Sequence, residues 1–109
     1  MATLYQLHTT GAALNDSVAH MASTWQAGDS ILLLDASAAY IDWLQMSMNE
    51  HDLADCHAFY ALEQDINALD AQTLERLKLH DKLTQTLSDS AWVDLTQDAQ
   101  FQQIISIAL

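Results

Sequence analysis

The run Ile31-Leu32-Leu33-Leu34, set inside "GDSILLLDASAAY" (Gly28 to Tyr40), limits the possible folds more than any other stretch of this chain. It holds four large apolar residues with no alternation, and Asp35-Ala36-Ser37 ends it. A strand with one wet face alternates apolar and polar side chains, whereas a strand buried on both faces reads as an unbroken apolar run. Ser30 to Leu34 is therefore expected to be a central strand of a mostly parallel sheet with helices over both faces. In such sheets ligands and reacting groups gather beyond the carboxyl ends of the strands. The residues after Leu34 are the first place to look for chemistry.

The rest of the chain reads as alternating strand and helix. Thr3 to His8 is short and β-favouring, and Thr9-Thr10-Gly11 breaks it. From Ala12 to Gln26, Leu14, Val18, Met21 and Trp25 recur at helical spacing, with Gly28 expected as the glycine that closes the helix. A second helix is expected over Ala38 to Met48 and a third strand over Cys56 to Leu62. A short turn or helix follows over Asp65 to Leu69. Ala71 to Leu87 carries Leu74, Leu77, Leu83 and Leu87 and reads as helical, wholly or in part. Ala91 to Asp94 is expected as a fourth strand. Thr96 to Leu109, with Phe101, Ile104, Ile105 and Ala108 on one face, is expected as a closing helix. This order implies a single α/β domain over residues 1–109 with right-handed crossovers. The expected carboxyl ends are His8-Thr9-Thr10, Asp35-Ala36-Ser37, Glu63-Gln64-Asp65 and Asp94-Leu95-Thr96.

Composition narrows the partners. With 109 residues, 50% of them hydrophobic, the chain suits one globular domain and not a disordered segment. No apolar run approaches the roughly 20 residues of a membrane helix, and the start "MATLYQLH" has neither the basic nor the apolar region of a signal peptide. One cysteine makes no internal disulfide and fits a reducing, cytoplasmic setting. The formal net charge is −12, and the only basic residues are Arg76, Lys78 and Lys82. Nucleic-acid binding draws its affinity from Lys and Arg against phosphate, so direct binding to DNA or RNA is not expected. The acidic charge either keeps the chain soluble or meets a basic partner.

Few residues have the company that chemistry requires. The loop "HTTGAALND" has one glycine, with no GxGxxG and no Walker lysine, so no nucleotide or other cofactor is expected. Thr9 and Thr10 before a helix read as caps. The histidines His8, His20, His51, His57 and His80 form no paired-ligand motif, and no metal is expected, even where His51, Asp52, Asp55, Cys56 and His57 crowd together. Ser37, His8 and Asp35 make a triad on paper only, because no nucleophile-elbow glycines surround Ser37. Cys56 is the only thiol. It is expected to open an apolar strand, its pKa raised by Asp52 and Asp55, with His57 on the opposite face. No catalytic residue is expected.

The helix from Ala38 to Met48 holds more apolar residues than one stripe needs. Tyr40, Trp43 and Leu44 can share a face, but Ile41, Met46 and Met48 cannot all join them. Two placements fit: a helix fully buried under Ala71 to Leu87, or one with a second apolar surface that docks another chain. In the second, Ser37, Tyr40, Trp43, Met46 and Met48 are the candidate interface.

The stretches "LYQLHTT", "GDSILLLDASAAY", "CHAFYALEQDINAL" and "WVDLTQDAQF", in this order and over most of the chain, resemble the TusB/DsrH family of sulfur-relay subunits. The resemblance implies a DsrE-like, flavodoxin-like three-layer α/β fold and assembly with TusC-like and TusD-like subunits into a dimer of heterotrimers. It also implies a supporting role in relaying persulfide sulfur towards 2-thiolation of the tRNA wobble uridine, with the sulfur-bearing cysteine on the TusD-like subunit. Some members carry a cysteine in the first helix, and Leu14 to Gln26 has none. DsrH relatives act in sulfur oxidation, which is the alternative pathway. A stand-alone sulfur carrier using Cys56 is the alternative mechanism.

Overall fold

In the computed structural model, which describes residues 2–8, 13–53 and 55–107, the apolar run forms β2 (Ser30–Leu33). It lies at the centre of a five-stranded sheet with β1 (Ala2–Leu7), β3 (Phe59–Leu62), β4 (Gln85–Leu87) and β5 (Phe101–Ile107). The order is β4-β3-β2-β1-β5 and every pairing is parallel. Ile31, Leu32 and Leu33 are fully buried. Ile31 and Leu33 point into one core, Leu32 and Leu34 into the other. Burying each such side chain contributes roughly 1.5–3 kcal/mol, which explains why this strand tolerates no polar alternation.

The topology decides which helices cover which face. The chain steps from β1 to β2, β3 and β4 in one direction, then returns across the whole sheet to β5. Right-handed crossovers therefore put the connections up to β4 on one face and the last connection on the other. The first face is covered by Leu14, Val18 and Met21 of α1 (Ala13–Ala22), by Ile41, Leu44 and Met48 of α2 (Ile41–Glu50), and by Ile66 of α3 (Glu63–Asn67). Leu74 and Leu77 of α4 (Ala71–Leu77) pack at its margin, and α5 (Leu79–Lys82) follows. The second face is covered by Ala91, Trp92 and Leu95 of α6 (Asp89–Thr96). These are the expected three layers. The order 4-3-2-1-5 stands in place of the 2-1-3-4-5 of flavodoxin itself.

Several local expectations are corrected. Helix α1 ends at Ala22, so Gly28 is not its cap. Gly28 instead adopts φ +95° in the turn that delivers Asp29. The 3-10 turn Asp35–Tyr40 precedes α2, so the helix proper starts later than Ala38. Cys56 lies outside β3, which begins at Phe59. Within Ala71 to Leu87, Lys78 takes a left-handed conformation (φ 51°) that ends α4, and the last residues form β4. Ala91 to Asp94 is helical, because Ser88 caps α6 by accepting a hydrogen bond from Ala91 N at 3.2 Å. The closing segment is a strand, not a helix.

Asp29 ties the amino end of the sheet together. Its side chain is buried, and it accepts from Thr3 N at 2.9 Å and from Gln26 N at 2.8 Å. The first bond reaches β1 and the second closes the turn before β2. On the other face, Trp92 Nε1 donates to Gln6 Oε1 at 2.9 Å, and Gln6 Nε2 donates to Ser106 Oγ at 3.1 Å. One buried amide thus joins α6, β1 and β5.

Candidate functional site

Three places could carry function: the carboxyl edge of the sheet, the surroundings of Cys56, and the outer face of α2. At the carboxyl edge, His8 follows β1 and is exposed, while Thr9 and Thr10 lie outside the described residues. Glu63 opens α3 directly after β3, and Ser88 follows β4 as the cap of α6. Asp94-Leu95-Thr96 belongs to α6 and is not a strand end. Glu63, Gln64, Asn67, Leu87, Ser88 and Asp89 line an open cavity of about 260 Å³. Its charged groups are carboxylic, so it disfavours an anionic ligand such as a phosphate. Ser37 is fully buried behind β2. Among the described residues, no three His, Cys, Asp or Glu side chains come together as metal ligands would.

Cys56 sits at the opposite end of the sheet. It precedes β3, in a segment held beside Gly28 and Asp29 by Gly28 N donating to Asp55 O (2.8 Å) and His57 N donating to Asp29 O (2.9 Å). Asp55 itself takes a left-handed φ of 59°. The half-buried Cys56 Sγ donates to Ala58 O at 3.4 Å. Burial pushes the thiol up to about 11, the Ala58 contact opposes this, and the charge of Asp29 adds to it. Burial and Asp29, rather than Asp52 and Asp55, are thus what raise it. A thiol in this state holds little thiolate near neutrality, and the thiolate is the nucleophile. Cys56 itself lines an open cavity of about 410 Å³, together with Gln45, Met48, Asn49, Leu53, Asp55 and Phe59.

The outer face of α2 exposes two large apolar side chains. The buried stripe is Ile41, Leu44, Ser47 and Met48. Trp43 remains 38% exposed and Met46 58% exposed, so α2 is not fully buried under the later segment. Tyr40 is half-buried, its ring 6.3 Å from that of Trp43. Trp43 Nε1 donates to Asn15 Oδ1 of α1 at 3.1 Å, which orients the indole. Asp42 pairs with Lys82, fastening α2 to α5. Of the five candidate interface residues, Tyr40, Trp43 and Met46 reach the surface. Ser37 and Met48 are buried in the core, because the 3-10 turn directs the first inward and the helical spacing from Leu44 directs the second.

Sequence reasoning missed the clamp at Asp29, reading Gly28-Asp29 as a turn only. It also missed Val93, 52% exposed on α6, because that segment was expected to be a strand.

The class that these features define is an all-parallel, three-layer α/β domain. Compared with family models, curated proteins and solved structures, the chain matches none. Among the described residues no helix is long and apolar enough to cross a membrane.

Proposed function

We propose that this chain is a non-catalytic subunit of a cytoplasmic sulfurtransferase complex of the TusB, TusC and TusD kind, which relays persulfide sulfur for 2-thiolation of the tRNA wobble uridine. Its partners are TusC-like and TusD-like chains, and it makes no direct contact with nucleic acid. The pathway and partners in this reading rest on the family resemblance of the sequence, and its non-catalytic part is carried by the state of Cys56. A sulfur carrier needs an accessible thiolate, and this thiol is half-buried at the amino end of the sheet and pushed up to about 11. The stand-alone carrier is therefore the weaker reading. The exposed Trp43 and Met46 support a docking role, since aromatic residues and Met are enriched where protein surfaces meet.

Affinity purification of the full chain from its native cell tests this. The expected result is two co-purifying chains of similar size, with loss of both after Trp43→Ala combined with Met46→Asp. Recovery of the chain without such partners overturns the assignment. A DsrH-type role in sulfur oxidation shares this assembly and differs in its acceptor. Loss of 2-thiouridine from tRNA when the chain is removed selects the thiolation pathway.

A further inference from the structure

We propose that β5 is a dimerisation edge, at which a second copy of this chain adds its own β5 antiparallel and continues the sheet across a two-fold axis. β5 is an outer strand, with β1 on one side and, among the described residues, no strand on the other. The carbonyl of Ile107 accepts from His8 N at 3.1 Å, so the backbone groups of Ile107 face β1. Alternation along the strand sends those of Ile105 and Gln103 the same way and leaves those of Ile104 and Ser106 facing outward.

Natural edge strands are blunted by shortness, charge, proline or bulges. The other edge of this sheet, β4, has three residues and is blunted by its length. β5 has seven residues and contains neither charge nor proline. Its one register irregularity lies at its amino end, opposite Ala2 and Thr3, so Gln103 to Ile107 pair regularly.

Charge points to a second copy as the occupant. Two chains of formal charge −12 repel wherever their carboxylates meet. From Ala99 to Leu109 the sequence has no Asp, Glu, Lys or Arg, and the same holds from Met1 to Asn15, which includes the adjacent β1. Strands β1 and β5, and the residues that flank them in sequence, thus carry no Asp, Glu, Lys or Arg in an otherwise acidic protein. A neutral edge offers nothing to attract a basic partner, while an antiparallel strand pair is self-complementary about a two-fold axis. Ile104 and Ile105, half-exposed on opposite faces of β5, would be covered by the same contact.

Light scattering on the full chain across a concentration series tests this, with hydrogen exchange as the local readout. The expected result is a species of two-chain mass that strengthens as salt screens the mutual repulsion. The amides of Ile104 and Ser106 should exchange more slowly as concentration rises. Ser106→Pro removes an outward N–H together with the Oγ that accepts from Gln6 Nε2, and should give a folded monomer by circular dichroism, whereas Ser106→Ala, which loses only the Oγ, should still dimerise. If that variant does not fold, the exchange data on the unmodified chain decide. A chain that stays monomeric at every concentration and salt overturns the proposal. So does a dimer in which those two amides exchange independently of concentration, or a folded Ser106→Pro that still dimerises.

Discussion

The buried carboxylate of Asp29 accepts the backbone N–H of Thr3 at 2.9 Å, joining the turn before β2 to the start of β1. Its other oxygen accepts from Gln26 N at 2.8 Å. Asp29→Ala removes both acceptors and leaves two N–H groups without their partner. Hydrogen bonds to charged groups are worth about 1.5–3 kcal/mol each, so a loss of about 3–6 kcal/mol is expected. Urea unfolding measures it. Asp29→Asn keeps one acceptor oxygen and should recover part of the loss.

The contact between Trp92 and Gln6 is the corresponding fastening on the other face. Trp92→Phe preserves an aromatic side chain but removes the N–H that Gln6 Oε1 accepts. Gln6 is buried, and leaving a buried acceptor unsatisfied costs about 1–3 kcal/mol. The unfolding midpoint should fall accordingly. Near-ultraviolet circular dichroism should show that the remaining aromatic environments persist.

The raised thiol of Cys56 makes a pH prediction with a definite sign. The folded state holds the proton up to about 11, whereas an unperturbed thiol releases it near 9.0. Between these values the unfolded chain loses the proton first, so stability is fully present below about pH 9 and falls as pH rises towards about 11. Burial raises Tyr5 and Tyr60 as well, which acts in the same direction at higher pH. Alkylation of the folded protein at pH 8 should be about 100-fold slower than that of an unperturbed thiol. Cys56→Ser should remove the thiol's share of the alkaline decline.

The outer face of α2 should separate stability from binding. Met46 is 58% exposed, so Met46→Asp should lower unfolding free energy by only about 1 kcal/mol, from its poorer helix propensity and its like-charge neighbours Asp42 and Glu50. Trp43→Ala should weaken partner association by about tenfold or more, as truncation of an interfacial Trp does. Titration of labelled partner chains against each variant measures this.

The first half of the fold was legible because its signals are local. The unbroken run at β2 and the helical spacing of Leu14, Val18 and Met21 each have one reading. The end of the chain misled for a physical reason. Phe101 and Ile104 are three residues apart yet share a face of the sheet, because the register shift opposite Ala2 and Thr3 breaks the period of two. That spacing imitates a helix. The β-branched Ile104, Ile105 and Ile107 were the signal for a strand. Ser88, followed by Asp89, was the signal for a helix where a strand was expected. Tertiary pairing settled Gln85 to Leu87: Thr84 N donates to Phe59 O at 2.8 Å and brings β4 beside β3. The candidate interface was partly legible. Helical spacing identified excess apolar surface on α2, and only the packed structure shows Ser37 and Met48 turned inward.

We propose above that this chain supports sulfur relay without carrying sulfur. The most direct test of that proposal is relay through the assembled complex with Cys56→Ser in place of the native chain. Assembly and sulfur transfer are both expected to persist, the transfer at the native rate. Intact assembly with transfer abolished would contradict the proposal.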